Sequence, residues 1–354
     1  MKLQQGFTTG SCLIAGIKTA YYLRNSKIDS KAKNISILFP DKKYREIKIN
    51  NIKDNSISII KFAGDDPDIT NGIEFIITLS EQKDLSSLSD KDYLIESKNS
   101  KFILKGKEGL GFVTRKGLNA EYNKWAINCG PRKMLKLNLD DFLDETDNIF
   151  LIEIRIINGE TIAKKTLNPT LGVIGGISIL GNSGIVEPHS HKAYIKTISL
   201  QLKNLDKNKI KNIVFCTGVK TEANSIEKYN YSRESFIRIA DFIGDALEKS
   251  SKYDFDKIVI ACMPGKLFKY ALGYKYTHAH TISADLAKIY PFLIEAGIKK
   301  EIAKKLSNSC KTVSELTTSL IQKDIDSVIN ILSKYAIENF KKWNPNCKEI
   351  ELFI

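Results

Sequence analysis

The hydrophobic pattern of this 354-residue chain changes period near its middle, and no other feature narrows the fold as much. Up to about residue 166 the strong segments are strand-like runs separated by turns. Residues 35–39 and 44–49 flank a Pro40-Asp41-Lys42-Lys43 turn and predict a hairpin. Residues 56–62 and 73–79 flank a polar loop. Residues 149–157, then Asn158-Gly159, then 161–166 predict another hairpin. One helix opens the region: Ser11 is placed to cap it, and Leu13, Ile14, Ile17 and Tyr21 share a face. A second helix is expected after Pro131. Strand runs with few helices imply an α+β domain.

From about residue 171 the pattern is different. Residues 177–180, 210–216 and 257–262 are short apolar runs without alternation, as in buried parallel strands. Helical segments follow them at 191–205, 232–249 and 266–272. That alternation predicts a doubly wound α/β sheet. Beyond Gly297 the chain reads as helical over 314–322 and 324–342, and residues 349–354 are placed to add a last strand. The expected architecture is two domains of mixed α/β and α+β class. Residues 1–168 form an α+β domain with strand hairpins. Residues 169–354 form an α/β domain with C-terminal helices.

Composition supports a folded protein of this size. The hydrophobic fraction is 42% and the charged fraction 27%, so a core is available and disorder is not favoured. The net charge of +13 favours an anionic partner, although a Lys-rich composition along the whole chain explains it equally well. The basic residues are dispersed and form no nucleic-acid module, so no nucleic acid is expected. Six cysteines include no C-x-x-C pair, which argues against zinc and for reduced thiols in the cytoplasm. No apolar run approaches the roughly 18 residues a membrane helix needs. A cytoplasmic protein without membrane contact is expected, and a homo-oligomer is compatible with the sequence.

Ligands of open α/β sheets bind beyond the carboxyl ends of the strands, and three loops are expected there. The first is Gly181-Asn182-Ser183-Gly184, whose glycines allow backbone to approach a ligand; a tight turn explains the same residues. The second is Thr217-Gly218. The third is Met263-Pro264-Gly265-Lys266, where Lys266 is placed to hold an anion or simply to face solvent. Near the N-terminus, Thr8, Thr9 and Ser11 could contact a substrate carboxylate, or cap the helix. Asp65 and Asp66 lie in a carboxylate-rich loop suited to acid/base work or to facing a sulfonium, or form an Asx turn. The four histidines pair as His189/His191 and His278/His280, an i, i+2 spacing that disfavours a metal site on a helix. No protein-bound metal is expected.

Taken in order, these segments resemble the CbiD family of cobalt-precorrin-5B C-1 methyltransferases. The blocks are GFTTGSC from Gly6, AGDDPDITNG from Ala63 and EGLGFVTRKGL from Glu108. AIN-x-x-PRKM from Ala126 and AKKTLNPTLGVIGGISILGNSGIVEP from Ala163 follow, then GKLFKYALG from Gly265 and Thr277-His278. The block from Ala163 is the most specific. Asn71, Thr170 and Asn182-Ser183 depart from the family pattern, and His189 and His280 are not part of it. Those departures argue against an indispensable role for Asn71, Thr170, His189 or His280.

The resemblance implies methyl transfer from S-adenosyl-L-methionine to C-1 of cobalt-precorrin-5B, giving cobalt-precorrin-6A in anaerobic cobalamin synthesis. Another tetrapyrrole-modifying step of the same pathway is the alternative, because residue chemistry does not select a ring carbon; a basic nucleic-acid-binding protein is a remote one, supported by the charge alone. Cobalt would arrive within the substrate, a polycarboxylate tetrapyrrole that suits a basic protein. On this reading residues 1–168 bind the tetrapyrrole through Thr8, Thr9 and Ser11, with Lys266 as a further substrate contact. Residues 169–354 bind the donor through Gly181, Asn182, Ser183, Gly184, Thr217 and Gly218. His278, which coincides with the family pattern, and Asp65 and Asp66 are the catalytic candidates.

Overall fold

A computed structural model describes residues 3–188, 190–278 and 285–354 of this mixed α/β protein. Its contacts divide the chain into two compact units, Met1–Ser190 and His191–Ile354. The boundary therefore falls later than the Asn168-Pro169 position expected from the change of period. The reason is that the intervening segment folds back on the first unit. Gly176–Ile177 pairs in parallel with Gly109–Leu110, and Ile185–Val186 pairs antiparallel with Gly6–Phe7. Residues 177–180 are thus not a strand of the second sheet. Gly176 makes the substitution of partners possible: a Cβ there would stand 2.0 Å from the Gly109 carbonyl oxygen.

The first unit is built on a six-stranded mixed sheet. Its strands are β1 (Asn51–Lys53), β2 (Ser56–Ile60), β3 (Glu74–Gln82), β4 (Tyr93–Ser97), β5 (Ser100–Gly106) and β6 (Ile149–Ile156), in the order β1-β2-β3-β6-β5-β4. β6 is central, antiparallel to β3 and parallel to β5. The hairpin expected after Asn158-Gly159 does not form. Asn158 takes a left-handed φ of 56°, and Gly159–Ala163 continues as a short helix. Both neighbours of β6 are already in place, so no strand position is left for residues 161–166. The expected hairpin of Asn34–Leu38 with Tyr44–Lys48 is present.

Helix α1 (Thr9–Arg24) is buried over its first thirteen residues rather than along one stripe. Leu13, Ile14 and Ile17 are fully buried, worth about 1.5–3 kcal/mol each. Gly16 lets the helix approach the sheet, since a Cβ there would meet Ile77 at 2.5 Å. The cap is Thr8, whose hydroxyl accepts from the Ser11 N–H; Ser11 sits inside the helix. The helix expected after Pro131 is present as α2 (Cys129–Phe142), but it begins ahead of that proline and includes it.

The second unit carries a four-stranded parallel sheet. Its strands are β7 (Asn212–Cys216), β8 (Phe236–Arg238), β9 (Lys257–Ala261) and β10 (Glu349–Phe353), in the order β8-β7-β9-β10. The last strand is the extended run read at the C-terminus. Helices α3 (His191–Lys207), α4 (Val219–Lys228), α5 (Ile243–Ser250), α6 (Pro264–Ala271) and α7 (Gln322–Trp343) accompany it. The single helix expected over 232–249 is instead a short 3-10 turn, β8 and α5. Phe236, Ile237 and Ile239 are apolar enough to extend the sheet, and Ala240 then breaks the chain direction with a φ of 49°. Three residues of strand are too few to show a period.

Candidate functional site

The N-terminal motif and the Gly181–Gly184 loop turn out to bind each other. Phe7 and Ile185 are paired, the Thr8 N–H donates to the Gly184 carbonyl at 3.0 Å, and the Gly10 N–H donates to Leu180 O at 3.1 Å. The Thr9 hydroxyl donates to Ser178 O at 3.0 Å and accepts from the Leu180 N–H at 2.8 Å. The Ser11 hydroxyl donates to Gly184 O at 2.6 Å. Thr8, Thr9 and Ser11 are all buried. A Cβ on Gly181 would strike the Thr8 side chain at 2.4 Å, and one on Gly184 would strike Phe39 at 2.7 Å. Asn182 and Ser183 are on the rim, where the Ser183 hydroxyl bonds Ile185 O. These glycines admit protein, and the hydroxyls expected to meet a substrate carboxylate already have protein partners.

The acidic loop is fastened in a similar way. The Asp65 carboxylate accepts from the Gln4 N–H at 2.6 Å, and the Asp65 N–H donates back to Gln4 O. Asp66 is half-buried beside it. Asp68 accepts from the buried Lys61 ammonium at 2.6 Å and from the Thr70 hydroxyl at 2.6 Å. Burial alone would raise the Asp68 pKa; Lys61 and Thr70 outweigh it and hold the carboxyl below the usual range. Cys12, fully buried nearby, has its thiol pushed up to about 12 by burial.

The carboxyl edge of the second sheet is arranged differently. In the order β8-β7-β9 the chain leaves β7 on one side, then returns across it to β9, so the strand order reverses there. Such a reversal opens a crevice outside the strand ends. The Thr217 hydroxyl donates to Ala261 O at 3.1 Å and joins the ends of β7 and β9. Gly218 and Gly265 follow, and a Cβ built on either would find nothing within 4 Å. Gly218 has an extended backbone, so its role is space rather than strain.

Lys266 lies across this edge. Its ammonium donates to Ala240 O at 2.8 Å and Thr217 O at 3.3 Å, and pairs with the Asp241 carboxylate at 3.1 Å. An ammonium has three donors, and these contacts engage all of them. Lys266 therefore ties the three strand exits together rather than presenting a free cation. Asp241 also accepts from the Thr277 hydroxyl at 3.1 Å. An aromatic wall adjoins it. Phe242 lies 5.2 Å from Tyr194, 5.2 Å from Tyr276 and 5.3 Å from His191, between ring centroids. His278 stacks on Tyr276 with the ring planes 12° apart. Cys216 and Cys262, at the ends of β7 and β9, have thiols pushed up to about 12 by burial, so neither is a nucleophile at neutral pH. His189 and His280 lie outside the described residues. Among the described residues no group of three or more His, Cys, Asp or Glu could hold a metal ion. No helix of the described residues is long and apolar enough to cross a membrane.

Comparison with known proteins gives this arrangement its family. The CbiD family model matches residues 1–188, more than half of the chain. A cobalt-precorrin-5B C(1)-methyltransferase of Methanococcus vannielii is 33% identical over 350 residues, covering 97% of this chain and 91% of that protein. The chain belongs to the CbiD family. It is a methyltransferase. A Clostridioides difficile protein of the same name is 32% identical, covering 99% of this chain and 91% of its own length. A solved CbiD structure, the cobalamin biosynthesis protein of Archaeoglobus fulgidus, is 22% identical with a TM-score of 0.39 and covers 76% of this chain and 80% of that one. The CbiD match ends just before Ser190, where the first compact unit ends.

Within this CbiD chain the residues expected to hold one cofactor fall into both units. Gly181, Asn182, Ser183 and Gly184 belong to the first, Thr217 and Gly218 to the second. The second edge also contains residues that sequence reading passed over: Asp241, Phe242, Tyr194 and Tyr276. The available signal was the run Phe236-Ile237-Arg238-Ile239, a fourth short apolar segment with Asp241-Phe242 at its exit.

Proposed function

We propose that this chain is the cytoplasmic enzyme that methylates C-1 of cobalt-precorrin-5B with S-adenosylmethionine, giving cobalt-precorrin-6A. The observation that carries the reading is the likeness to relatives of that name over nearly the whole chain, 97% and 99% of it in two cases. When bound, S-adenosylmethionine supplies a methyl group on a positively charged sulfur.

The donor site of this reading is the carboxyl edge of the second sheet. The open positions at Gly218 and Gly265 support it, as does the Asp241 carboxylate, which suits a hydroxylated or cationic ligand. The wall of Tyr194, Phe242 and Tyr276 offers apolar rings against which a purine can stack. Thr217 and Lys266 keep the three loops in place, so the site is formed before a ligand arrives. The chain's contribution to rate is then mainly placement, because the macrocycle is itself a carbon nucleophile. His278, beside the wall, is the proton acceptor of this reading. No acid/base step is assigned to Asp65 or Asp66, and no carboxylate contact to Thr8, Thr9 or Ser11.

The test is product analysis. The purified protein, S-adenosylmethionine and the ring-contracted cobalt macrocycle should yield a product one methyl heavier by mass spectrometry, with the new carbon at C-1 by NMR. A methyl on another carbon would support a different step of the pathway, and no transfer would remove the proposal. His278→Ala should lower kcat in the same assay with little change in KM.

A further inference from the structure

Glu222, near the start of α4, is a carboxylate turned inward, its side chain only 8% exposed. It accepts from Arg233 Nη2 at 2.7 Å and from Arg238 Nε at 3.0 Å, with a second contact from Arg238 Nη2. The two guanidinium groups remain about half exposed, at 52% and 49%. An ordinary surface ion pair hides neither partner. Here the anion is hidden and both cations face solvent, so two positive charges oppose one negative charge.

Several donors are left over. A guanidinium carries five N–H groups. Arg238 gives its Nε and Nη2 to Glu222, which leaves Nη1; Arg233 gives only Nη2, which leaves Nε and Nη1. No acceptor among the described residues meets these remaining groups. The pair is also fixed in place. The Glu222 N–H donates to Gly218 O at 3.0 Å, Arg238 is paired in the sheet with Cys216, and the Tyr194 hydroxyl donates to Arg238 O at 3.1 Å. Glu222 is therefore anchored to the open glycine and Arg238 to the aromatic wall of the same edge, while Arg233 is held through Glu222.

We infer that Arg233 and Arg238, held by Glu222, form a carboxylate-binding subsite beside Gly218. The inference rests on the donor site proposed for that edge. Planar forks with unused N–H pairs match a carboxylate bidentately, and the one surplus positive charge suits a monoanion. Two sources bring such a group: the amino-acid carboxylate of the methyl donor, and an acetate or propionate arm of the macrocycle.

Calorimetry and kinetics separate them. Replacing both arginines alone strands a buried carboxylate and threatens folding. The triple variant Glu222→Gln, Arg233→Gln, Arg238→Gln removes charge on both sides, and near-UV circular dichroism checks its fold. Arg238→Lys, which keeps the charge and loses the fork, is the milder second variant. The probes are S-adenosylhomocysteine and 5′-methylthioadenosine, which lacks the carboxylate, together with the KM for the macrocycle. If the subsite takes the donor's carboxylate, the triple variant weakens S-adenosylhomocysteine at least ~10-fold and leaves methylthioadenosine unchanged. If it takes a macrocycle arm, that KM rises at least ~10-fold and both nucleosides bind as before. Arg238→Lys should move the same quantity by a smaller factor. A folded triple variant with all three values unchanged overturns the inference, and so does an equal loss of both nucleosides. Wild-type protein that binds neither nucleoside removes the donor-site reading instead, and the macrocycle KM then decides the subsite alone.

Discussion

Gly184 of the first unit and Gly218 of the second have similar sequence settings, each a glycine in a polar loop among short apolar runs. Their surroundings are opposite. Gly184 has a φ of 79°, and an added Cβ would stand 2.7 Å from Phe39 and 2.9 Å from the Ser11 hydroxyl. Gly218 is extended and has nothing within 4 Å of the same position. Close approach is what glycine allows in both places, but in one the approaching group is the protein's own N-terminal motif. Lys266 and Thr9, one in each unit, behave alike. Both were candidates to meet a ligand, and both are bonded to main-chain carbonyls. A residue type that can bind a ligand can equally bind a loop, and only tertiary neighbours decide between them.

The largest expected effect breaks this pair apart. Gly184→Val should destabilise the first unit by about 3 kcal/mol or more, from backbone strain and overpacking together. Gly218→Val should cost no more than about 1 kcal/mol, since the backbone is extended and the space is free and only the poorer capping by Val counts. Its effect should appear as a loss of S-adenosylhomocysteine affinity by calorimetry. The chain has two tryptophans, Trp125 in the first unit and Trp343 in the second, so single-tryptophan variants report each unit during urea unfolding. Equal destabilisation by both substitutions would mean that the two loops are not different in kind.

A smaller effect sharpens the description of the closed loop. Thr9→Val removes a hydroxyl that donates to Ser178 O and accepts from the Leu180 N–H, both buried or nearly so. Leaving those groups unpaired should cost about 1–3 kcal/mol. The KM for the macrocycle should not move in the protein that remains folded. A raised KM with unchanged stability at Trp125 would return Thr9 to the role of a substrate contact.

Much of the fold was legible because long helices and uninterrupted apolar runs leave a pattern of several residues. The buried runs of β7 and β9, the N-terminal helix, the long helix α7 and the final strand all carried patterns of several residues. What was not legible was short or relational. β8 has three residues, too few to stand out from the helical pattern around it. Ile177 was given to the wrong sheet because a short apolar run does not name its partner; Gly109 and Gly176 settle that by letting two backbones touch. The family was legible from the block at Ala163, yet that block lies in the unit whose glycine loop is packed shut. Strand order alone points to the Thr217-Gly218 loop as an exit of the second sheet. Asp241 and the aromatic wall depend on β8 and were therefore missed with it. Glu222 has the sequence setting of any helical surface carboxylate, and only the fold of β8 brings Arg233 and Arg238, 11 and 16 residues later, against it.

The smallest expected effect concerns that glutamate and the acid stability of the second unit. Burial works against the Glu222 anion, but the hydrogen bonds from Arg238 and Arg233 outweigh it, so its folded pKa lies below the ordinary value. A depressed carboxylate pKa adds stability that is fully present above the unfolded pKa of about 4.3 and disappears as pH falls through the folded value. The contribution is modest because both guanidinium groups are about half exposed and screened by water. The measurement compares wild type with the Glu222→Gln, Arg233→Gln, Arg238→Gln variant, following Trp343 through urea unfolding at a series of pH values. Carboxylates common to both proteins cancel in the difference. That difference should be constant from pH 7 down to about 5 and should shrink below about pH 4.3 as Glu222 takes up its proton. A difference that stays constant to pH 3 would show that the arginines do not hold the carboxylate, and the anchor of the proposed subsite would be lost with it. At Trp125 the same difference should be flat, because Asp68, paired with Lys61 in the first unit and depressed in the same direction, is common to both proteins and cancels; an acid limb there would show that the substitutions act outside the second unit.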